Sequence, residues 1–377
     1  MNKRLLLVVN TVTFFISHRL EIAKAAQKNG YEIHIAAPRC PKVQFLYDQG
    51  FIYHELSLSR SGKNIFAECK VLFVLYRLFK QLSPLLVHLI TIKPAIYGGI
   101  AARLARVGGV VIAVSGLGFI YITDDLKAKL LRSILTRLYR FIFAKKNLRI
   151  LFQNPADRDI LIPPTSFARK KVVMVRGSGV NLNTYTYHPE PTGLPRVILA
   201  ARLLKDKGIQ EFIAAATLLK VRGIKARFCI VGERDPGNPN SITAEELTQW
   251  DSQSVVEFLG FQDDIASIFK NANIVVLPSY REGLPKVLQE AAACGRAVIT
   301  TDVPGCRDAI EPNVTGLLVP VKNKEYLADA MERLIVDKSL RVKLGLAGLD
   351  LANREFSVDK IIQTHLSVYA QLEESLS

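Results

Sequence analysis

The sequence predicts an α/β protein built from two Rossmann-like domains, each a parallel sheet flanked by helices. Three observations carry that reading. The chain has 377 residues, more than one hydrophobic core usually supports, so two domains of roughly 150–200 residues are expected. Short β-branched apolar runs bounded by turn residues alternate with longer segments of helical period, the pattern of parallel α/β architecture. A polar stretch, Gly177-Ser178-Gly179-Val180-Asn181 and then 188–195, divides the runs into two sets and is read as the hinge.

In chain order, strands are expected at 4–9, 31–36, 85–90, 110–114, 148–152 and 171–175, and then at 196–200, 226–231, 255–258, 274–278, 297–300 and 316–319. Met1-Asn2-Lys3-Arg4 carries the charge of a signal peptide, but the apolar run behind it, Leu5 to Val9, is too short, and it reads as a first strand. The uncharged stretch from Val107 to Thr123 holds Gly108, Gly109, Gly116 and Gly118 and is short for a membrane span, so a buried strand and a loop are expected. Segments 65–82 and 126–143 read as amphipathic helices, and 357–376 as the closing helix, with Ile361, Ile362, His365, Leu366, Tyr369 and Leu372 at helical spacing. On 126–143, Lys127, Lys129, Arg132, Arg137 and Arg140 interleave with an apolar set wider than one core-facing stripe.

Charge is unevenly spread. The net formal charge is +16, yet residues 1–180 hold 28 Lys and Arg against 9 Asp and Glu, so the first half supplies all of the excess. That asymmetry points to a polyanionic partner, and the wide basic helix selects an anionic membrane surface. No zinc knuckle or aromatic-basic ribonucleoprotein signature supports nucleic acid. The five cysteines are scattered without Cys-x-x-Cys or metal-ligand spacing, which implies a reducing compartment and no structural metal.

Two segments of the second half carry chemistry. Leu277-Pro278-Ser279-Tyr280-Arg281-Glu282-Gly283-Leu284-Pro285-Lys286, continuing to Glu290, reads as a strand, a tight loop and a helix that opens near Leu284 with Pro285 in its first turn. A helix start at the carboxyl edge of a parallel sheet is an anion site. Glu282 and Glu290, eight apart, place carboxylates along one ligand, where hydroxyl groups of sugar and ribose are their natural targets. Ala201-Arg202-Leu203-Leu204-Lys205-Asp206-Lys207-Gly208 follows another strand and brings Arg202 and Lys207 to the same edge. Cations there would stabilise negative charge growing on a departing diphosphate and could replace a metal. Asp157-Arg158-Asp159 mimics a metal-binding Asp-x-Asp, but on a helix residues two apart diverge, so it is expected to be a solvated helix start without metal.

These segments together resemble the retaining glycosyltransferase family 4, of GT-B architecture, over nearly the whole chain. Ile16-Ser17-His18-Arg19-Leu20, Thr91-Ile92-Lys93-Pro94, Ser115-Gly116-Leu117-Gly118 and Arg176-Gly177-Ser178-Gly179 further resemble bacterial O-antigen and surface-polysaccharide transferases acting on undecaprenyl-diphosphate-linked sugars. The resemblance implies two domains facing a cleft. An acceptor- and membrane-facing domain would span 1–182 with the closing helix 357–377 crossing back to it, and a donor domain 183–356. It implies that Arg202 and Lys207 hold the diphosphate, Glu282 the donor sugar and Glu290 the ribose, with the amides of Gly283 and Leu284 assisting. It implies retention of configuration, with no metal and no cofactor beyond the nucleoside-diphosphate sugar, UDP-linked and carrying a hexose or N-acetylhexosamine. Many members have a histidine where this chain has Ser115 before Gly116. His18, beside Arg19, is the substitute candidate for an acceptor or phosphate contact. The expected place is the cytoplasmic face of the inner membrane, peripherally bound. The alternatives are a sugar-nucleotide epimerase of the same architecture and, on charge alone, a nucleic-acid-binding protein.

Overall fold

A computed structural model describes residues 3–58, 65–118, 121 and 126–376, with the side chains of residues 65–67 and 127 excepted. Met1, Asn2, the Lys127 side chain and parts of the glycine-bearing loop after Gly118 thus lie outside what is described. The chain forms two compact units, Met1–Ser178 with Asp359–Ser377, and Gly179–Val358.

The first unit is a seven-stranded parallel sheet of β1 (Lys3–Val8), β2 (Tyr31–Ala37), β3 (Ile52–Glu55), β4 (Leu86–Ile90), β5 (Gly109–Val114), β6 (Leu148–Phe152) and β7 (Val172–Met174), in the order β3-β2-β1-β4-β5-β6-β7. The second is a six-stranded parallel sheet of β8 (Arg196–Ala200), β9 (Arg227–Val231), β10 (Glu257–Phe258), β11 (Ile274–Leu277), β12 (Ala297–Thr301) and β13 (Gly316–Val319), in the order β10-β9-β8-β11-β12-β13. Strands β1, β4, β5, β8 and β11 are buried along most of their length, as continuous Val, Ile and Leu runs require. Each sheet is covered on both faces by its own apolar clusters.

Every strand but β3 falls at an expected position. Strand β3 has no counterpart among the expected runs: among the described residues it pairs only with β2, and its half-exposed Tyr53 and His54 break the apolar signal. Order reverses between β1 and β4 in the first sheet and between β8 and β11 in the second. In such folds ligands bind beyond the carboxyl ends of the strands flanking that switch point.

The closing helix, Val358–Glu374, packs Ile361, Val368, Tyr369 and Leu372 into the core of the first unit. The expected hinge divides. The crossing lies at Ser178–Gly179, and just beyond it Val180 bridges to Ser357, donating to Phe356 O at 2.8 Å and accepting from Val358 N at 2.9 Å. Segment 188–195 is instead fastened into the second unit, because the nearly buried Arg341 guanidinium grips Glu190 through Nε at 2.7 Å and Nη2 at 2.9 Å. Asp157 is a second correction: it is buried, its amide capped by Asn154 at 2.8 Å, whereas Asp159 is exposed and paired with Arg158 and Arg169.

Helix Leu126–Phe143 carries two apolar rows. Ala128, Leu135, Tyr139 and Ile142 enter the core, while Leu126, Leu130, Leu131, Ile134 and Phe141 stay exposed among the basic side chains. Among the described residues, no helix is long and apolar enough to cross a membrane.

Candidate active site

The second unit places both chemistry-bearing segments at its switch point. After β8 the chain turns through Ala201 and Arg202 into a short 3-10 turn, Lys205–Lys207, then Gly208 and helix Ile209–Val221. After β11 it runs through 278–285 into helix Lys286–Ala293, with Pro285 as N-cap. The two loops are bolted together: Asp206 O accepts from Tyr280 N at 2.9 Å and from Ser279 Oγ at 3.0 Å. Gly208 has φ +74° and its missing Cβ would lie 2.2 Å from Pro278 O, so only glycine permits this approach. On the other side Glu282 N donates to Pro304 O at 3.1 Å, and Gly305 packs against Glu282 O, where a Cβ would lie at 2.3 Å.

This clamp brings Lys207 and Glu282 together. The Lys207 ammonium contacts Glu282 Oε1, and the two side chains are only 17% and 14% exposed. Arg202 is more exposed and pairs with Asp235 at 2.7 Å, while its loop is held by Gly232 and Glu233. Glu290 is buried, 3.2 Å from Lys286 and close to the Tyr185 hydroxyl. The Tyr185 hydroxyl is pushed far above the ordinary tyrosine value, first by burial and then by Glu290. Gly283 and Leu284 are buried in the same loop. Cys306, behind Glu282, has its thiol pushed up to about 12 by burial first and by the carboxylate second, so it stays a neutral thiol. Asp235, Tyr185, Lys286 and the glycines Gly232 and Gly305 are neighbours of these residues that sequence reasoning does not single out. The Pro304-Gly305 pair and the glycine ending β9 are the signals that could have found them.

The first unit gathers a separate cluster at the carboxyl edge of its sheet. Arg19, only 2% exposed, donates through Nη1 to His18 O at 2.8 Å and Ser178 Oγ at 3.0 Å, and through Nη2 to Ser115 Oγ at 3.3 Å. Its Nε is buried without a hydrogen-bond partner among the described residues. Burial pulls the guanidinium down to about 10, and among the described residues no carboxylate pairs with it. The His18 ring is stacked on Phe14 with centroids 4.3 Å apart and hydrogen-bonded to Ser17 Oγ at 2.6 Å. Gly116, φ +112°, turns the chain after Ser115. Near Arg19 lies a cluster the sequence does not reveal: His88 Nδ1 is 2.7 Å from Tyr369 OH, and His365 Nδ1 donates to Ile361 O at 2.8 Å. Burial holds both histidines neutral, His365 down to about 3. Among the described residues, no group of three or more His, Cys, Asp or Glu side chains is placed to hold a metal ion.

Comparison with known proteins supplies the family. Residues 4–154 match the model of the "Glycosyl transferase 4-like" family and residues 187–349 that of "Glycosyl transferases group 1". A Campylobacter jejuni protein, N,N'-diacetylbacillosaminyl-diphospho-undecaprenol alpha-1,3-N-acetylgalactosaminyltransferase, is 30% identical over 94% of this chain and 97% of its own. The chain belongs to glycosyltransferase family 4. An Escherichia coli relative of this transferase, UDP-Gal:alpha-D-GlcNAc-diphosphoundecaprenol alpha-1,3-galactosyltransferase, is 26% identical over 74% of the chain and 73% of its own. Among solved structures, Anabaena HepE in complex with UDP superposes with a TM-score of 0.75 at 17% identity, covering 98% of this chain and 100% of that one. The glycosyltransferase thus has the GT-B fold, and membership sets the epimerase alternative aside.

Proposed function

We propose that this glycosyltransferase moves a hexose or N-acetylhexosamine from a UDP-sugar onto a polyprenyl-diphosphate-linked sugar, with retention of configuration and without a metal, in bacterial surface-polysaccharide synthesis. The observation that carries the donor reading is the clamped pair at the second switch point, Lys207 against Glu282, with Arg202 on the same loop. A largely buried ammonium held by one carboxylate is primed for exchange. An arriving diphosphate, with more charge than Glu282, takes Lys207 and Arg202, and Glu282 is released to accept hydrogen bonds from donor-sugar hydroxyls. Glu290, held by Lys286 and Tyr185, takes the ribose hydroxyls. The bond from the anomeric carbon to the β-phosphate oxygen breaks, the acceptor hydroxyl attacks from the same face, and its proton passes to the leaving phosphate oxygen. Lys207 and Arg202 stabilise the charge growing on that oxygen, the place a divalent ion would otherwise fill.

The first unit takes the acceptor in this reading. Arg19, a buried cation surrounded by hydroxyls rather than carboxylates, is the contact for the acceptor diphosphate, with Ser115, Gly116 and Ser178 shaping its surroundings and His18 lending its carbonyl. The exposed apolar and basic rows of helix Leu126–Phe143 rest on the anionic cytoplasmic face of the inner membrane, where the lipid-linked acceptor lies. Relatives named for undecaprenyl-diphosphate acceptors support that class. A screen of nucleotide sugars with a lipid-diphosphate-sugar acceptor, run in EDTA and read by product mass and anomeric coupling, tests it. An α-linked product from an α-linked UDP donor is expected; strict dependence on added Mg²⁺ or Mn²⁺, or an inverted product, would contradict it.

A further inference from the structure

A cavity of about 810 Å³ opens in the first unit beyond the amino ends of β6 and β7, at the edge of the sheet opposite Arg19. It lies where helix Leu126–Phe143 ends, beside the end of helix Pro155–Leu161. Its lining includes five cations, Arg140, Lys146, Arg149, Lys170 and Lys171, and no Asp or Glu. Among the described residues none of the five pairs with a carboxylate. The remaining wall is mainly apolar, with Leu161 and Ile162 buried and Phe167 73% exposed.

Lys171 closes the base. Its buried ammonium donates to Phe143 O at 2.9 Å, the last carbonyl of helix Leu126–Phe143, and to Lys145 O at 2.7 Å just beyond it. Burial, and then neighbouring cations, pull both Lys171 and Lys145 below the ordinary lysine value. At the rim the Phe167 ring stands in solvent with the Lys170 and Lys171 ammonium groups 5.5 and 5.8 Å from its centroid. An exposed aromatic flanked by cations, together with the exposed apolar row ending at Phe141, is the composition of a lipid interface. The volume falls in the range of small-molecule sites.

We propose that this cavity binds the phosphate head group of one anionic phospholipid, with the phosphate among Lys146, Lys170, Arg140 and Arg149 and the glyceryl carbons against Leu161 and Phe167. It would be a docking point of the transferase at the edge of its sheet opposite the Arg19 cluster. The inference rests on the membrane reading above and adds a defined lipid site to what would otherwise be diffuse attraction.

The test uses the full chain with vesicles of phosphatidylcholine alone or mixed with phosphatidylglycerol, by co-sedimentation at constant ionic strength. The double variant Lys146→Glu/Lys170→Glu alters two rim residues, so folding is preserved and checked by thermal unfolding; single Lys146→Ala and Lys170→Ala variants serve as a second series. Lys129→Glu/Arg137→Glu makes the same charge change on helix positions outside the cavity. The cavity variant should lose on the order of tenfold or more in affinity for phosphatidylglycerol vesicles, the helix control severalfold less, and turnover with a short-chain soluble acceptor should be unchanged. Equal losses in the two variants would make the attraction diffuse and overturn the site. Displacement of the protein from vesicles by millimolar inorganic phosphate would assign the cavity to free phosphate and overturn the lipid. If the wild-type chain ignores phosphatidylglycerol altogether, the membrane reading itself falls, and the cavity proposal with it.

Discussion

Replacing Lys207 by alanine probes the donor cluster on two scales at once. The substitution removes the ammonium and leaves the Glu282 carboxylate, 14% exposed, without its cation. A hydrogen bond to a charged group contributes about 1.5–3 kcal/mol. At about 2–4 °C per kcal/mol for a unit of this size, the melting midpoint of the second unit should fall by about 3–12 °C. Catalysis should suffer more. Losing one preorganised donor to developing oxyanion charge costs about 10²–10³ in kcat, and the stranded carboxylate now repels the diphosphate as well. Changing Glu282→Gln in the same chain removes that repulsion, so the double variant should melt above Lys207→Ala and lose less activity than the product of the two single losses. The assay is UDP release with lipid-linked acceptor, alongside thermal unfolding. A folded Lys207→Ala variant with turnover close to wild type, or strict additivity of the two changes, would refute this.

Three further outcomes are expected. Gly208→Ala forces a Cβ to within 2.2 Å of Pro278 O at a positive φ, so it should destabilise by about 2–4 kcal/mol, seen as a lowered urea midpoint; an unchanged midpoint would mean that the two donor loops are not bolted together as described. Arg19→Gln should raise KM for the lipid-linked acceptor by roughly tenfold or more, the loss of a charge-assisted contact, while slow hydrolysis of the donor alone persists; equal loss of both would assign Arg19 to folding rather than to acceptor binding. His365 and His88 are held neutral by burial but titrate near about 6.5 once unfolded, so unfolding takes up protons below that pH. Their contribution is intact above about pH 6.5 and is lost as pH falls, by about 2 kcal/mol from His365 alone between about pH 6.5 and pH 5. Melting midpoints from about pH 5 to 8 should therefore slope less in His365→Gln than in wild type, and parallel slopes would contradict this.

Much of the fold was legible because its strands announce themselves. A parallel strand buried on both faces needs an unbroken run such as Leu5 to Val9 or Val110 to Val114, and an amphipathic surface helix does not use that pattern. Strand β3 escaped because an edge position tolerates Tyr53 and His54. Helix Leu126–Phe143 was legible from its surplus of apolar residues, and the structure leaves that surplus exposed. The two segments proposed to take the donor stand out by chemistry, since both set cations and carboxylates directly after a strand. Their pairing does not. Lys207 meets Glu282 across 75 residues and Arg19 meets Ser178 across 159, contacts set by strand order rather than spacing. The contacts of His18 were equally out of reach of the sequence, since its ring stacks on Phe14 and meets Ser17 Oγ. Asp157 reads as solvated in sequence and is buried in the fold, because Asn154 folds back to cap it.

In the proposed mechanism, two side-chain cations and the amide-rich start of helix Lys286–Ala293 converge on a departing diphosphate. A crystal structure of the chain with UDP in EDTA tests that claim most directly. The expected result is a β-phosphate within hydrogen-bond reach of Lys207, Arg202 and the Gly283–Leu284 amides, with the Lys207–Glu282 contact opened. Phosphates bound elsewhere, with Lys207 still on Glu282, would contradict it.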